Sequence, residues 1–189
     1  MTKIANYPNA TVNDNIRLLA TDTDNSNKTV NIELSKIFKS DVALPSVLNF
    51  FDFDNGLISS ATQNTWVPLV AETTQGFKRN GIALVDTGSP TTTKAVYTGE
   101  VPKFFKVSFI GAFLADSGRK IHLAIFKNGS LWPCSEFAQP VPPSGDEVTV
   151  PGQCVVPLEQ GDEIEVYIKC STHALSVTTE NINVIIEQY

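Results

Sequence analysis

Residues 121–137 read IHLAIFKNGSLWPCSEF, two runs of apolar and aromatic residues on either side of the pair Asn128-Gly129. Asn and Gly readily adopt the left-handed backbone that a tight two-residue turn requires, so this segment predicts a β-hairpin. The same dipeptide occurs twice more between similar runs, and it predicts further hairpins at Asn55-Gly56 and at Asn80-Gly81. The chain is therefore expected to consist mainly of short antiparallel strands.

Apolar and polar residues alternate through most of the segment from Glu100 to Tyr189. A period of two turns one face of a strand toward the core and the other toward solvent, as in half-buried antiparallel sheets. Strands about ten residues apart with turn signals between them are typical of a sandwich or jelly roll. We therefore predict an all-β, antiparallel jelly-roll sandwich. Its expected core positions include Val107, Phe109, Phe113, Ile121, Leu123, Ile125, Ile164, Val166, Ile168, Cys170, Ile182, Val184 and Ile186.

Prolines are concentrated between the predicted strands of this half, at positions 133, 140, 142, 143, 151 and 157. Proline has no amide hydrogen to donate to a sheet ladder. The segment Gln139–Gly145 is therefore predicted to be a loop rather than a central strand.

The first forty residues form a separate region. Asn15–Thr21 and Thr29–Leu34 resemble two strands, and the Asp, Asn and Ser residues between them favour a turn. An isolated hairpin is marginally stable in water, so this segment is expected to dock on another molecule. We predict an attachment segment over residues 1–41 and a jelly-roll domain over 42–189. The apolar residues expected to make the anchor contact are Ile16, Leu18, Leu19, Val30, Ile32 and Leu34.

The composition excludes several classes of partner. The chain has 189 residues, a hydrophobic fraction of 42% and a formal net charge of −6. A net negative charge without a basic run argues against nucleic acid and against an anionic membrane surface. No apolar stretch approaches the roughly 18 residues of a membrane span, and Met1–Ala10 lacks an export-signal pattern. Synthesis in the cytoplasm of the producing cell is expected.

No metal site is expected. The cysteines Cys134, Cys154 and Cys170 are too widely spaced for a zinc pattern, and we expect buried or partly buried thiols, with a Cys154–Cys170 bridge left open. A calcium loop of the EF-hand type needs glycine at its sixth position, where this chain has Asn27. Polar turns explain both acidic clusters better. These clusters are Asp22, Asp24, Ser26 and Glu33, and Asp52, Asp54 and Asn55.

Catalysis is not expected either, and no cofactor is predicted. His122 and His173 are the only histidines, and neither accompanies a Gly-x-Ser-x-Gly nucleophile elbow. Glu163 and Glu165 share a strand face, as a glycosidase carboxylate pair could. Solvent-facing glutamates on a half-exposed strand are the simpler interpretation.

Three segments of the C-terminal half resemble the globular heads of the tumour-necrosis-factor and complement type. They are Tyr97–Phe109, Ile121–Gly129 and Val156–Tyr167, which all lie within the last ninety or so residues of the chain. The resemblance implies a jelly roll that assembles as a tight homotrimer. Apolar side chains on outer strand faces need cover, which a threefold interface would provide. The expected examples are Phe104, Ile110 and Phe126.

The N-terminal segment Asp14–Asn31 is similar to the short leader of many structural proteins of tailed phages. In those proteins the leader tends to precede a trimeric β domain and can attach the protein to the virion. The two resemblances together imply a non-enzymatic virion structural protein, either a head fibre or capsid decoration protein or a tail fibre component. Its partners would be other capsid or tail proteins.

A host-recognition tip that binds surface glycans is the alternative. Aromatic rings stack on sugars, and loops carried on a rigid sandwich are common binding sites. The candidates for such a contact are Trp132, Trp66 and Tyr167, with the proline-rich loop near Trp132 presenting the site.

Overall fold

The computed structural model describes residues 17–21, 29–33, 45–85, 93–143 and 147–189. It divides the chain into two compact units, Met1–Leu44 and Pro45–Tyr189. This described part contains strands and connecting turns and no helix, and so no helix that could cross a membrane. The strands are β1 (Arg17–Thr21), β2 (Thr29–Glu33), β3 (Val47–Ala61), β4 (Val67–Pro68), β5 (Thr74–Arg79), β6 (Ile82–Leu84), β7 (Lys94–Tyr97), β8 (Lys103–Leu114), β9 (Lys120–Lys127), β10 (Ser130–Leu131), β11 (Phe137–Pro140), β12 (Glu147–Leu158), β13 (Glu163–Cys170) and β14 (Leu175–Gln188).

In the first unit, β1 and β2 pair antiparallel with Leu18 opposite Ile32 and Ala20 opposite Val30. The predicted N-terminal hairpin is confirmed at the level of these paired strands. Two of the predicted anchor residues, Ile16 and Leu34, lie outside the described residues, as does the turn that carries Asp22, Asp24 and Ser26.

The second unit is a sandwich of two antiparallel sheets. One sheet has five strands in the order β12-β8-β14-β3-β5. The other has seven strands, with the path β10-β9-β13-β7-β6, β11 paired to β9 and β4 paired to β13. Because consecutive strands repeatedly change sheet, the chain closes as a jelly roll. The predicted fold class is confirmed.

The core lies between the two sheets and follows the predicted alternation. On β13 every second residue from Ile164 to Cys170 is buried, and on β8 the same holds for Phe105, Val107, Phe109 and Phe113. Gly111 lies in that inward row, where a Cβ would fall 2.6 Å from the ring of Phe113. Because glycine has no side chain, the ring of Phe113 can occupy the space next to position 111.

The three Asn-Gly pairs have different structures. Asn128-Gly129 has φ angles of 51° and 74° and joins β9 to β10, with Lys127 paired to Ser130, which confirms this hairpin. Asn80-Gly81 also has positive φ values, of 41° and 69°. It joins β5 to β6, however, and these strands belong to different sheets. That pair therefore makes a tight turn between the layers, and the predicted hairpin is wrong.

The prediction at Asn55-Gly56 is also wrong, because β3 runs through it without a turn. Gly56 has a φ of 61°, and the opposite strand β14 shifts register between Thr179 and Asn181. The left-handed glycine thus accommodates an irregularity in a long strand pair. Asp54 and Asn55 lie within β3, and the buried Asp52 accepts a hydrogen bond from the amide of Glu72 at 2.8 Å.

Three of the six prolines in this half of the chain, Pro140, Pro151 and Pro157, lie in edge strands. Pro151 and Pro157 lie in β12, which is the outer strand of its sheet, so their missing amide hydrogens cost no ladder bond. Pro140 is the last residue of β11. Gln139, in the same strand, pairs with Ile121 of β9. The predicted loop over Gln139–Gly145 is therefore wrong in its first two residues, and residues 144–146 lie outside the described part.

Candidate assembly surface

The outer side of the five-stranded sheet carries most of the exposed large apolar side chains among the described residues of the second unit. Cross-strand partners share a sheet face, so the register places Pro151, Ile110, Asn183 and Phe51 side by side in one row. The neighbouring row contains Gln153, Ser108, Ile185, Asn49 and Phe77. We call this outward surface of β12, β8, β14, β3 and β5 the assembly face.

Exposed apolar side chains are concentrated on the assembly face. Among the described residues, eleven large apolar side chains are exposed, and only Val101 and Leu131 lie elsewhere. Single exposed apolar residues are normal, but a contiguous group marks an interaction surface. The group consists of Phe53, Ile58, Phe77, Phe104, Ile110, Leu114, Val155, Ile185 and the C-terminal Tyr189, whose amide donates to the carbonyl of Phe104.

Two pairs of polar residues on the assembly face bond to each other. Lys106 Nζ lies 3.1 Å from a carboxylate oxygen of Glu187, and Asn49 donates to the side-chain oxygen of Asn183 at 2.7 Å. Both pairs join neighbouring strands of the sheet. Because their hydrogen bonds are already made within the protomer, covering this face leaves few of these groups without a partner.

Two hollows lie on the assembly face, so the face is not flat. One has a volume of about 500 Å³ and is lined by Lys106, Gln153, Cys154, Val155 and Tyr189. The other has a volume of about 220 Å³ and is lined by Ser108, Phe109, Ile110, Asn183 and Ile185. Hollows next to projecting rings are the features into which a complementary surface packs.

On the opposite face of the sandwich, the outward-pointing Phe126 is covered by the protomer itself. Phe126 points outward from β9, yet only 8% of it is exposed, because Tyr167 stacks on its ring at 3.8 Å and Trp66 meets it edge-on at 5.6 Å. Lys169 Nζ lies 4.4 Å from the centre of the Trp66 ring. The prediction that Phe126 needs cover from another subunit is therefore wrong, whereas Phe104 and Ile110 are exposed as predicted.

Trp132 lies apart from that cluster and covers the edge of β12. Its ring is half-buried against the core, and its Nε1 donates to the carbonyl of Val155 at 3.0 Å. Lys127 Nζ donates to the carbonyl of Pro157 at 2.8 Å. These two bonds occupy outward carbonyls on a free sheet edge, which protects against unwanted strand pairing.

His122 belongs to a hydrogen-bonded cluster that the sequence did not reveal. Its Nδ1 lies 2.7 Å from Glu136 Oε1 and its Nε2 lies 2.8 Å from Ser171 Oγ. Glu136 also forms an ion pair of 3.0 Å with Lys169. The partners are 14 and 49 residues away from His122 along the chain, so spacing alone gave no signal. His173 is exposed and outside this cluster.

The remaining candidate residues are the two glutamates of β13 and the three cysteines. Glu163 forms an ion pair of 3.1 Å with Lys94, and this hydrogen bond raises the pKa of Lys94. Glu163 and Glu165 are both half-exposed on β13, as expected for outward positions.

All three cysteines are unpaired. Cys170 is buried, and burial raises the pKa of the half-buried Cys154 thiol to about 11. Cys134 is exposed, contrary to the prediction of burial.

Comparison with solved structures agrees with this architecture. Murine APRIL aligns with 76% of this chain over 99% of its own, at 13% identity and a TM-score of 0.51. Eiger TNF from S. frugiperda aligns with 76% of this chain over 93% of its own, at 9% identity and a TM-score of 0.51. The chain thus has the jelly-roll fold of these proteins.

The PRD1 vertex protein P5 aligns with 76% of this chain over 95% of its own, at 10% identity. Its TM-score of 0.49 does not by itself establish a shared fold. No protein-family model and no curated protein sequence matches the chain.

Proposed function

We propose that this protein is a structural component of a phage particle, a homotrimer that projects its sandwich outward and attaches through its N-terminal segment. The observation that carries the proposal is the concentration of nine exposed apolar side chains on one sheet face. In water such a face is costly, at roughly 25 cal/mol for each Å² of apolar surface. Burial against two further copies removes that cost.

A trimer fits the assembly face for two reasons. Stable interfaces bury about 800 Å² on each partner, which is within reach of a five-stranded sheet. A rotational assembly also closes on itself, so no apolar surface is left to recruit further copies without limit. The resemblance to trimeric heads of the tumour-necrosis-factor type favours three copies over two. Assembly, rather than catalysis, is the activity that this surface supports.

Attachment to the particle is assigned to residues 1–44. The support is the similarity of Asp14–Asn31 to phage leaders together with the separate compact unit at this end of the chain. The segment would contact a capsid or tail protein, as a head fibre, capsid decoration or tail fibre component does.

Removing the N-terminal unit is expected to abolish incorporation into particles without affecting trimerisation. Particles are purified from cells that supply either the full chain or residues 45–189, and the bound protein is quantified by mass spectrometry. The isolated 45–189 chain serves as the control, and its mass in solution should still be that of a trimer. Equal incorporation of both chains would contradict the assigned role of the segment.

Glycan recognition is the second candidate, and one observation favours it. Trp66 and Tyr167 are both half-exposed on the outer side of the seven-stranded sheet, near Lys169 and Glu136. Aromatic rings beside charged hydrogen-bonding groups are the combination that a sugar contact uses. Trp132 is engaged with the edge of β12, so its contribution would be indirect.

A glycan array tests this role with the trimeric protein. If the surface formed by Trp66 and Tyr167 binds glycans, Trp66→Ala should lower the array signal at least about tenfold, as expected for loss of one stacked ring. Trp132→Phe, which keeps an aromatic ring and removes the Nε1 donor, is the matched control and should bind normally. An array without signal above background would leave only the structural role.

A further inference from the structure

The cluster around His122 brings a hydroxyl, an imidazole and a carboxylate into line. His122 lies on β9, directly opposite Lys169 of β13, and Ser171 follows the end of β13. Glu136 immediately precedes β11, the strand that pairs with β9 on its other side. Three segments that are distant in sequence thus meet on one outer sheet surface.

The direction of each hydrogen bond follows from the chemistry of the groups. An ionised carboxylate only accepts, so the proton between Glu136 and His122 belongs to Nδ1. In the neutral ring Nε2 is then an acceptor, and the hydroxyl of Ser171 must donate to it. Burial opposes ionisation of Glu136, but bonds from Lys169 and His122 hold its pKa below the ordinary value. The carboxylate is therefore charged at neutral pH.

The position of the imidazole is fixed from several sides. Only 8% of His122 is exposed, and Trp66 packs against it edge-on with the ring centres 6.5 Å apart. Lys169 anchors Glu136 through the 3.0 Å ion pair. Ser171 itself is half-exposed, so this residue lies at the surface of the domain.

The amides beside Ser171 do not provide an oxyanion hole. The amide of Ser171 donates to the carbonyl of Lys120 at 3.2 Å. Burial raises the pKa of the Cys170 thiol, but the Thr172 hydroxyl and the neighbouring amides of His173 and Thr172 outweigh it and lower that pKa. Preorganised donors usually contribute the largest share of catalysis in acyl transfer. Without such donors both acylation and release are slow for an ordinary ester. An activated ester still reacts because its leaving group is good, whereas release from the serine ester, whose leaving group is poor, stays slow.

From this geometry we infer that Ser171 is a nucleophilic serine that takes up an acyl group from an activated ester and retains it, a modification site rather than a turnover enzyme. The inference goes beyond the proposed structural role and does not depend on the trimer. It concerns the outer side of the seven-stranded sheet, which the assembly face does not include.

The chemical step balances within this cluster. The oxygen of Ser171 attacks the ester carbonyl while its proton passes to Nε2 of His122. The bond from the carbonyl carbon to the leaving oxygen breaks, and the imidazolium returns the proton to the departing alcohol. Glu136 stabilises the imidazolium while it exists. No oxidant, reductant or metal is needed.

An alkyl fluorophosphonate is the probe, because its phosphorus reacts with activated serines and releases fluoride. The full-length protein is incubated with the probe, digested, and mapped by mass spectrometry. General-base assistance contributes about 10²–10⁴-fold, so Ser171 should be labelled at least about 100-fold faster than the exposed Ser130. Ser171→Ala should remove the label, and Ser130→Ala, the matched control, should leave it unchanged.

Two variants separate activation from mere exposure of Ser171. Glu136→Gln preserves the size of the side chain but can donate to Nδ1, which leaves Nε2 protonated and unable to accept the serine proton. His122→Asn removes the base altogether. Labelling should fall to the rate of Ser130 in both, with thermal melting used to show that each variant is folded. Labelling at the unchanged rate in a folded Glu136→Gln or His122→Asn variant would overturn the inference.

The pH dependence provides an independent readout. Burial lowers the pKa of His122 from 6.5, opposed by the bond to Glu136 and assisted by the charges of Lys169 and Lys120. The neutral ring is the base, so labelling should be constant at neutral pH and be lost only below pH 6.5. A rate that rises steadily with pH across this range, as for an ordinary hydroxyl, would contradict the role of His122.

Discussion

Ile110→Glu is expected to convert the proposed trimer into a folded monomer. Ile110 lies on β8 in the middle of the assembly face and is 45% exposed in the protomer, where a glutamate would remain solvated. In the trimer each copy would bury a carboxylate without a partner, at a cost of several kcal/mol. A cost of about 3 kcal/mol per interface weakens association by more than about 100-fold. Analytical ultracentrifugation across a range of concentrations measures the change.

Leu131→Glu is the matched control for that experiment. Leu131 is 42% exposed, but it lies on β10, in the sheet on the other side of the sandwich. The substitution adds the same charge at a similar exposure, and the variant should remain trimeric. If both variants dissociated, or if neither did, the assembly face would not be the surface that joins the copies.

Leu123→Ala is expected to cause the largest loss of stability among the substitutions considered. Leu123 is completely buried on β9, in the core between the two sheets. Removing its side chain beyond Cβ leaves a cavity and forfeits the transfer free energy, about 2–5 kcal/mol in total. The free energy of unfolding, measured by denaturant titration at fixed protein concentration, should fall by that amount.

Leu131→Ala, on the neighbouring strand β10, is the control for this measurement. The same atoms are removed from an exposed position, and the free energy of unfolding should change by no more than about 0.5 kcal/mol. Trimers unfold with a concentration dependence, so both variants and the parent protein are compared at one concentration. Equal losses at the two positions would contradict the placement of the core.

The sequence predicted features that depend on local alternation. Every second residue of β13 is buried as the pattern indicates, and Asn128-Gly129 turns as its residue types require. Such features depend on the side-chain period of a strand and on the backbone freedom of Asn and Gly. Both are properties of a few adjacent residues, which explains why they can be inferred without knowing the fold.

Features that depend on contacts between distant segments could not be predicted in this way. Asn80-Gly81 has the backbone of a hairpin turn, but the two flanking strands are captured by different sheets. Phe126 occupies an outward position and is nevertheless buried, because Trp66 and Tyr167 reach across it from other strands. Neither outcome leaves a signature in the neighbouring residues.

The surface residues show the same difference between features that a local pattern predicts and features that require the folded chain. Phe104 and Ile110 were predicted as outward apolar residues from the period of β8 alone, and the register of the sheet adds Val155 and Ile185 beside them. The contact between Ser171 and His122 requires the pairing of β9 with β13, which only the folded chain provides.

The mass of the full-length protein in solution distinguishes a trimer from a monomer. Light scattering behind size-exclusion chromatography, repeated at several loading concentrations, gives that mass without assuming a shape. We expect a stable species of three times the 20.6 kDa chain mass. A monomer at every concentration would contradict this expectation, because nine exposed apolar side chains on one sheet face would then be left without cover.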